Sequence, residues 1–267
     1  MNSSRNRTVI AVAGHDPTGG AGLVRDVMTG AALGVHVVAV GTAWTVQSAS
    51  SGAGSVEPRD PGGVSRALAD ALRQAAAAGG GRASVKVGMV PGAAVAAAIV
   101  AALDRAGFAG PVVVDPVLFA SSGVRLWQDD AQAMLPLLRR ATLVTPNAGE
   151  AAALSGRPVA SISDALSAAA ELQRLGVPAV LVKGGHMDEG AATVTDVLVG
   201  PGGAVGQLSR PRLAGSSPRG TGCALSTAIA AELAAGVSLR AAVEAATAWL
   251  SSRIAASVPV NGERHLP

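Results

Sequence analysis

Short runs of consecutive apolar residues, rich in valine, alternate with longer alanine-rich stretches along most of the chain. The short runs predict strands at Val9–Ala13, Val35–Gly41, Ser84–Val87, Val112–Asp115, Thr142–Thr145 and Ala179–Val182. Between them, helical spacing of apolar positions predicts helices near Gly22–Leu33, Pro61–Ala77, Ala93–Arg105, Asp129–Leu138 and Ser163–Leu175. Strands that alternate with helices build a mostly parallel central sheet flanked by helices on both faces. Unbroken apolar strands such as Pro111-Val112-Val113-Val114 fit the same plan, because neither face of such a strand meets water. After Lys183 the rhythm changes. Two strand-like runs, Thr193–Val199 and Val205–Leu213, are joined through Gly200-Pro201-Gly202-Gly203, a hairpin signal, and helices follow from Thr221 and Leu239. With no internal repeat and no dividing linker, residues 1–267 read as a single α/β domain, its loosest segments Gln47–Gly54 and Gly79-Gly80-Gly81.

Composition sharpens this picture. Hydrophobic residues make up 49% and charged residues 15% of 267, enough to fill a large core and too apolar for a disordered chain. The net charge of +3 comes from arginines scattered singly without interleaved aromatics, which argues against nucleic acid as a partner. Only two of the 21 basic residues are lysines; composition alone would not put one at Lys183, while Lys86, just before Gly88-Met89, also reads as a solvated strand-end charge. One cysteine excludes an internal disulfide and fits a reducing compartment. The opening MNSSRNRTVIAVAGHD is neither a signal peptide nor a membrane span, and a cytoplasmic protein without a membrane partner is expected.

Candidate chemistry centres on Arg219-Gly220-Thr221-Gly222-Cys223, at the start of a helical run. Small residues permit a tight turn, and the helix behind it points unpaired N–H groups and a positive dipole end outward. Such an end suits an anion, and a cysteine at a helix N-terminus is drawn toward the thiolate. The Walker and dinucleotide glycine signatures are both missing, so a phosphate site here must be of another kind. Polar residues also gather where strands end: Asp16, Asp115, Thr145-Pro146-Asn147 with Glu150, and Lys183-Gly184-Gly185-His186. Ligands of open α/β sheets bind at those ends. Taken singly, Asn147 also reads as a helix cap, Glu150 as a first-turn dipole partner and Asp115 as a turn residue.

Several of these stretches together resemble the hydroxymethylpyrimidine/phosphomethylpyrimidine kinases of thiamine biosynthesis, a branch of the ribokinase-like superfamily. They are Ala13-Gly14-His15-Asp16-Pro17-Thr18-Gly19-Gly20-Ala21-Gly22 with Asp26, Val46-Gln47, Lys86-Val87-Gly88-Met89, Asp115-Pro116-Val117 and Ser121-Ser122-Gly123. Thr145-Pro146-Asn147 with Glu150, Lys183-Gly184-Gly185-His186 and Gly220-Thr221-Gly222-Cys223 complete the set, in the family's order from about residue 8 to 255. The resemblance implies a three-layer ribokinase-like fold. It also implies transfer of phosphate from ATP, with Mg2+, to the hydroxymethyl group of 4-amino-5-hydroxymethyl-2-methylpyrimidine, and in bifunctional members a second transfer to the monophosphate. A homodimer is implied as well.

Carried over by position, the resemblance assigns substrate contacts to Asp26, Gln47, Met89 and Gly14. The amides of Gly220, Thr221, Gly222 and Cys223 would cradle the γ-phosphoryl group, with Cys223 as the base. Lys183, Asn147 and Arg219 would meet ATP phosphates, and Glu150 and Asp115 the metal. The chain departs from the pattern in three places. Arg219 replaces a usual histidine, Val124 replaces an aspartate, and the tail from Val258 differs. Those changes bear on substrate detail and on the second transfer rather than on the cradle. Two other readings stay open: a pyridoxal kinase, and a pyrimidine-binding protein without catalysis.

Overall fold

The computed structural model describes residues 7–47, 54–77, 82–187, 190–213, 218–260 and 263–267. Its strands are β1 (Thr8–His15), β2 (His36–Gln47), β3 (Gly54–Pro58), β4 (Ala83–Val87), β5 (Val112–Val114), β6 (Leu143–Val144), β7 (Val180–Val182), β8 (Thr193–Val199) and β9 (Val205–Pro211), followed by a separate pair, β10 (Val258–Val260) and β11 (Glu263–His265). The helices are α1 (Gly22–Ala32), α2 (Pro61–Ala77), α3 (Ala93–Arg105), α4 (Leu135–Arg139), α5 (Ala148–Ser155), α6 (Ile162–Arg174), α7 (Thr221–Ala234) and α8 (Leu239–Ala255). None of them, among the described residues, is long and apolar enough to cross a membrane.

The first nine strands form one sheet in the order β3-β2-β1-β4-β5-β6-β7-β8-β9. Its centre, β2 to β7, is parallel, while β3, β8 and β9 run antiparallel at the edges. Chain order reverses between β1 and β4, because β1 leads to β2 on one side and the chain returns through β4 on the other. At such a switch point the two connections leave in opposite directions and open a crevice at the carboxyl ends of the strands. Side-chain alternation assigns the two faces. Ile10, Val12, Val85, Val112, Val114 and Val180 pack with Leu68, Ile99, Leu138, Leu154 and Leu172 from α2 to α6. Val9, Val113, Leu143 and Leu181 pack on the opposite side with α7 and α8. The three layers expected from the sequence are present.

Several elements differ from the sequence reading. The helix expected over Asp129–Leu138 is a 3-10 turn, Ala131–Met134, that passes into the short α4. Asp130 caps the turn by accepting the Gln132 N–H, and Pro136 has no N–H to extend an α-helical ladder through it. The second strand continues past Gly41 to Gln47 and pairs with β3, which the apolar pattern did not reveal. The cap reading of Asn147 is realised in helix α5, for which no range was predicted, and the β10–β11 hairpin was unanticipated. The hairpin through Gly200-Pro201-Gly202-Gly203 formed as read, closed by Gly200 N–H to Ala204 O at 2.7 Å. Of the segments read as loose, Gln47–Gly54 and Gly79-Gly80-Gly81, residues 48–53 and 79–81 lie outside the described residues, while Gln47 and Gly54 pair across β2 and β3.

Candidate active site

A cleft of about 620 Å³ opens at the switch point. Its apolar end is built from chain crossings that exclude larger residues. A Cβ on Gly14, near the end of β1, would lie 2.8 Å from the Met89 sulfur, so glycine lets Met89 reach the pocket wall. Met89 follows β4, and its carbonyl accepts the Thr42 hydroxyl of β2 at 2.7 Å, which ties the wall to the sheet. Met89 packs with Leu126, and Val117 and Val124 lean on the same cluster. Val124, where a carboxylate is usual in the family it resembles, thus adds to an apolar wall. The pocket's polar edge carries Asp16 and Thr45.

The cradle closes the other end. Gly220 caps α7 with φ +73°, and a Cβ there would meet Gly20 O at 2.1 Å, so only glycine fits this turn. No side chain caps α7, which leaves the first amides of the helix aimed at the cleft. Helix α1 also begins there without a side-chain cap, and the Gly22 N–H faces the Cys223 sulfur. Two helix N-termini therefore converge on one spot, and together they favour a bound anion. The thiolate expected at Cys223 is not what results. Burial pushes the thiol up to about 11, and the carboxylates of Asp26 and Asp115 add to that, outweighing Lys86 and the amides.

Charged side chains line the floor. Asp115 follows β5, Lys183 follows β7, and the ammonium donates to Asp115 Oδ1 at 2.7 Å with Glu150 Oε2 at 4.0 Å. A Cβ on Gly222 would lie 3.2 Å from Lys183 Nζ and 3.4 Å from Asp115, so cradle and floor are in contact. Burial works against the charge on Lys183, but Asp115 and then Glu150 outweigh it and hold the ammonium above its ordinary range. Burial raises the Glu150 carboxyl to about 7, with Lys183 opposing and Asp115 reinforcing the shift. The capping reading of the next motif holds. Asn147 and Glu150 form a capping box on α5, Asn147 Oδ1 accepting from Glu150 N at 2.9 Å and Glu150 Oε2 from Asn147 N at 2.7 Å, yet both line the cleft.

Among the described residues, no three His, Cys, Asp or Glu side chains gather as a metal cluster. Two carboxylates, Asp115 and Glu150, nevertheless suit Mg2+, which keeps waters and takes phosphate oxygens rather than filling its shell with protein. The donor set fits the ion.

Asp26, expected to touch substrate, does not reach the cleft. It is fully buried between α1 and β4, where Lys86 Nζ donates to its two oxygens at 2.8 and 2.9 Å and the Thr227 hydroxyl donates at 2.8 Å. The alternation of β4 explains this: Val85 and Val87 face one layer, so Ser84 and Lys86 face the other, toward α1 and α7. Lys86 is therefore not the solvated strand-end charge its position allowed. Burial opposes its charge, but Asp26 holds the ammonium well above its usual range. Gln47 ends β2, and its side chain lies outside the described residues. Arg219 lines the cleft, 3.5 Å from Asp16 and against Gly20. Sequence reasoning missed Thr45, Arg25, Asp196 and the β10–β11 hairpin. Asp196 is buried and accepts from Gly184 N at 2.7 Å and from Arg210, steadying the turn that carries Lys183. Its signal was a single charged residue in a strand otherwise made of threonine, valine and leucine.

The family model for phosphomethylpyrimidine kinase matches residues 16–267. The chain belongs to this family. A hydroxymethylpyrimidine/phosphomethylpyrimidine kinase of Rhizobium meliloti (strain 1021) is 41% identical over 251 residues, covering 93% of this chain and 90% of that one. Among solved structures, a pyridoxal kinase from Staphylococcus aureus in complex with ADP aligns at TM-score 0.85 with 28% identity, over 98% of this chain and 93% of that one. A phosphomethylpyrimidine kinase from Clostridium difficile 630 aligns at TM-score 0.74 with 29% identity, over 92% and 98%. This member of the phosphomethylpyrimidine kinase family is thus a kinase of the ribokinase-like fold.

Proposed function

We propose that this kinase transfers the γ-phosphoryl group of ATP to the hydroxymethyl group of 4-amino-5-hydroxymethyl-2-methylpyrimidine, and then phosphorylates the monophosphate. The observation that carries the reading is the contact of the α7 cradle with Lys183 and Asp115 at the mouth of a pocket walled by Gly14, Met89 and Leu126. The apolar wall takes a small flat ring, and Gln47 would address its polar edge with an amide that both donates and accepts. The hydroxymethyl oxygen then faces the cradle. It attacks the γ-phosphorus, the bond to the ADP oxygen breaks, and the hydroxyl proton passes to the Cys223 sulfur, which as the minor thiolate form has first given its own proton to solvent. Because the Cys223 thiol stands near 11 before substrate enters, the rate rests on fixed positive groups more than on a ready-made thiolate.

Those groups are the α7 amides, Lys183 as a point charge, and Arg219 at the rim. Asp115 and Glu150 would hold Mg2+, directly or through water, and the ion when bound would supply further positive charge at the ATP phosphates. Arg219 supports the second transfer, which must accommodate an added dianion beside ATP. We also infer a single-domain, cytoplasmic homodimer, for which the exposed Val27, Met28 and Trp44 offer apolar surface to cover. Purified enzyme with ATP, Mg2+ and either the pyrimidine alcohol or pyridoxal, followed by ion-exchange chromatography, tests the substrate. The pyrimidine alcohol should have the higher kcat/KM. Preference for pyridoxal, consistent with the close structural match to pyridoxal kinases, would replace this reading with that one. The chemically prepared monophosphate in the same assay tests the second step.

A further inference from the structure

Arg25 is an expensive side chain in an unpromising place. It lies near the start of α1, where the helix dipole disfavours a cation, and it is 2% exposed. Its neighbour Asp26 is committed to Lys86. Among the described residues the hydrogen bonds of Arg25 go to two backbone carbonyls, Leu266 O at 3.0 Å and Gly19 O at 3.3 Å, and its Nε is buried with no partner. A buried guanidinium held by neutral carbonyls alone costs stability. What it holds together accounts for its presence.

Three segments meet on this side chain. Gly19 belongs to the turn between β1 and α1. Gly220 is the turn that opens the cradle, and a Cβ there would touch the Arg25 stem at 3.2 Å. Leu266 follows β11 and is 3% exposed in the core beneath α7 and α8. The hairpin is tied to the cradle from its other side as well. Arg219 N–H donates to Arg264 O at 3.3 Å, and the Arg264 guanidinium grips Ser257 through Oγ at 2.9 Å and O at 2.6 Å. Arg264 itself lines the cleft.

We propose that Arg25 is a positioning residue of the kinase: its guanidinium clamps the β10–β11 hairpin against the Gly220 turn, so that the hairpin forms a wall of the active site. The proposal rests on reading Gly220 to Cys223 as the phosphate cradle. It also explains the missing carboxylate partner. Asp26 attracts this charge without bonding to it, and a guanidinium beneath the cradle adds to the field that a phosphoryl group meets, whereas a directly bonded carboxylate there would cancel it. The clamp fixes the cradle's backbone, which acts on the transferring group, and leaves the ring pocket at Met89 alone.

Arg25→Met keeps the stem against Gly220 and removes both hydrogen bonds and the charge. Arg25→Lys keeps the charge and reaches one carbonyl. For folded Arg25→Met we expect kcat to fall about ten- to a hundredfold with KM for the pyrimidine alcohol within about twofold, and Arg25→Lys to recover part of kcat. Hydrogen exchange of peptides spanning residues 257–267, read without substrate, should quicken in Arg25→Met while exchange in β5 stays at the wild-type rate. A purely structural role would lower the melting temperature and leave kcat per folded molecule intact. Unchanged exchange in the hairpin overturns the clamp, and a loosened hairpin with wild-type kcat overturns its place in the site. If Arg25→Met does not fold, Arg25→Gln carries the same comparison. A wild-type enzyme inactive on the pyrimidine alcohol refutes the substrate assignment, and the exchange result then decides the clamp by itself.

Discussion

Replacing Lys86 by methionine isolates the buried charge beneath the cradle. Methionine keeps most of the stem and removes the ammonium that holds both Asp26 oxygens. Lys86 and Asp26 are each 0% exposed, so no water can take over, and the Thr227 hydroxyl is the remaining donor to the carboxylate. Breaking such a pair from one side costs about 3–5 kcal/mol. Proton uptake sets a ceiling on that loss. Protonating a carboxylate whose unfolded pKa is near 4 costs about 1.4 kcal/mol per pH unit above that value, or about 4 kcal/mol at pH 7. In the variant, the folded pKa of Asp26 lies above its unfolded value, so the protonated folded state is favoured at low pH and its advantage is lost as pH rises. Burial already raises the wild-type Asp26 carboxyl against the pull of Lys86, so the destabilisation relative to wild type should shrink toward pH 4 and grow by at most about 3 kcal/mol between pH 5 and pH 7.5.

Urea unfolding at those pH values measures the effect, and at neutral pH the melting temperature should drop by about 5–9 °C. Adding Asp26→Leu to Lys86→Met should recover most of the loss, because neither charge then remains buried. A single variant within about 1 kcal/mol of wild type, or a loss of equal size at every pH, would refute the electrostatic reasoning. Thr227 lies one turn beyond Cys223 on α7. The single variant should thus also lower kcat by loosening the cradle helix.

The remaining expectations concern the cleft itself. Gly220→Ala forces a Cβ into Gly20 O at a positive φ, and kcat should fall at least about a hundredfold in a folded protein; wild-type turnover would remove this turn from the phosphate site. The raised thiol predicts that alkylation of Cys223 by iodoacetamide is slow at pH 7.5 and keeps accelerating toward pH 11, whereas a plateau near pH 8.5 would contradict it. Cys223→Ser should lower kcat about a hundredfold with less effect on KM, as expected when a positioned proton acceptor is lost. Glu150→Gln preserves the capping box and leaves a group that stays neutral. Since the folded Glu150 carboxyl titrates near 7, above its ordinary 4.5, the stability it contributes is present below the lower value and lost as pH rises through the upper one. The ligand-free Gln variant should therefore gain about 1–3 kcal/mol on wild type between pH 5 and 8, and parallel stability curves would contradict the shift.

The alternation of apolar runs was enough to reveal the layered sheet, because a strand buried on both faces has to be apolar along its length. Local chemistry made the cradle legible too. Glycine at Gly220 and small residues behind it belong to a turn and helix start whose geometry is set within a few residues. The position of Lys183 at a strand end was readable for the same reason. Where each charge finds its partner was not. Asp26 and Lys86 are 60 residues apart, and only the pairing of β1 with β4 and the packing of α1 and α7 on that face bring them together. Without that contact Asp26 read as a substrate ligand. The Cys223 thiol shows the same limit: sequence supplies the helix end that favours the thiolate, while burial, a property of the assembled layers, decides against it. The link from Arg25 to Leu266 spans 241 residues. Periodicity and turn chemistry act between near neighbours, so they could not disclose it; the cost of burying a charge depends on every segment that folds around it.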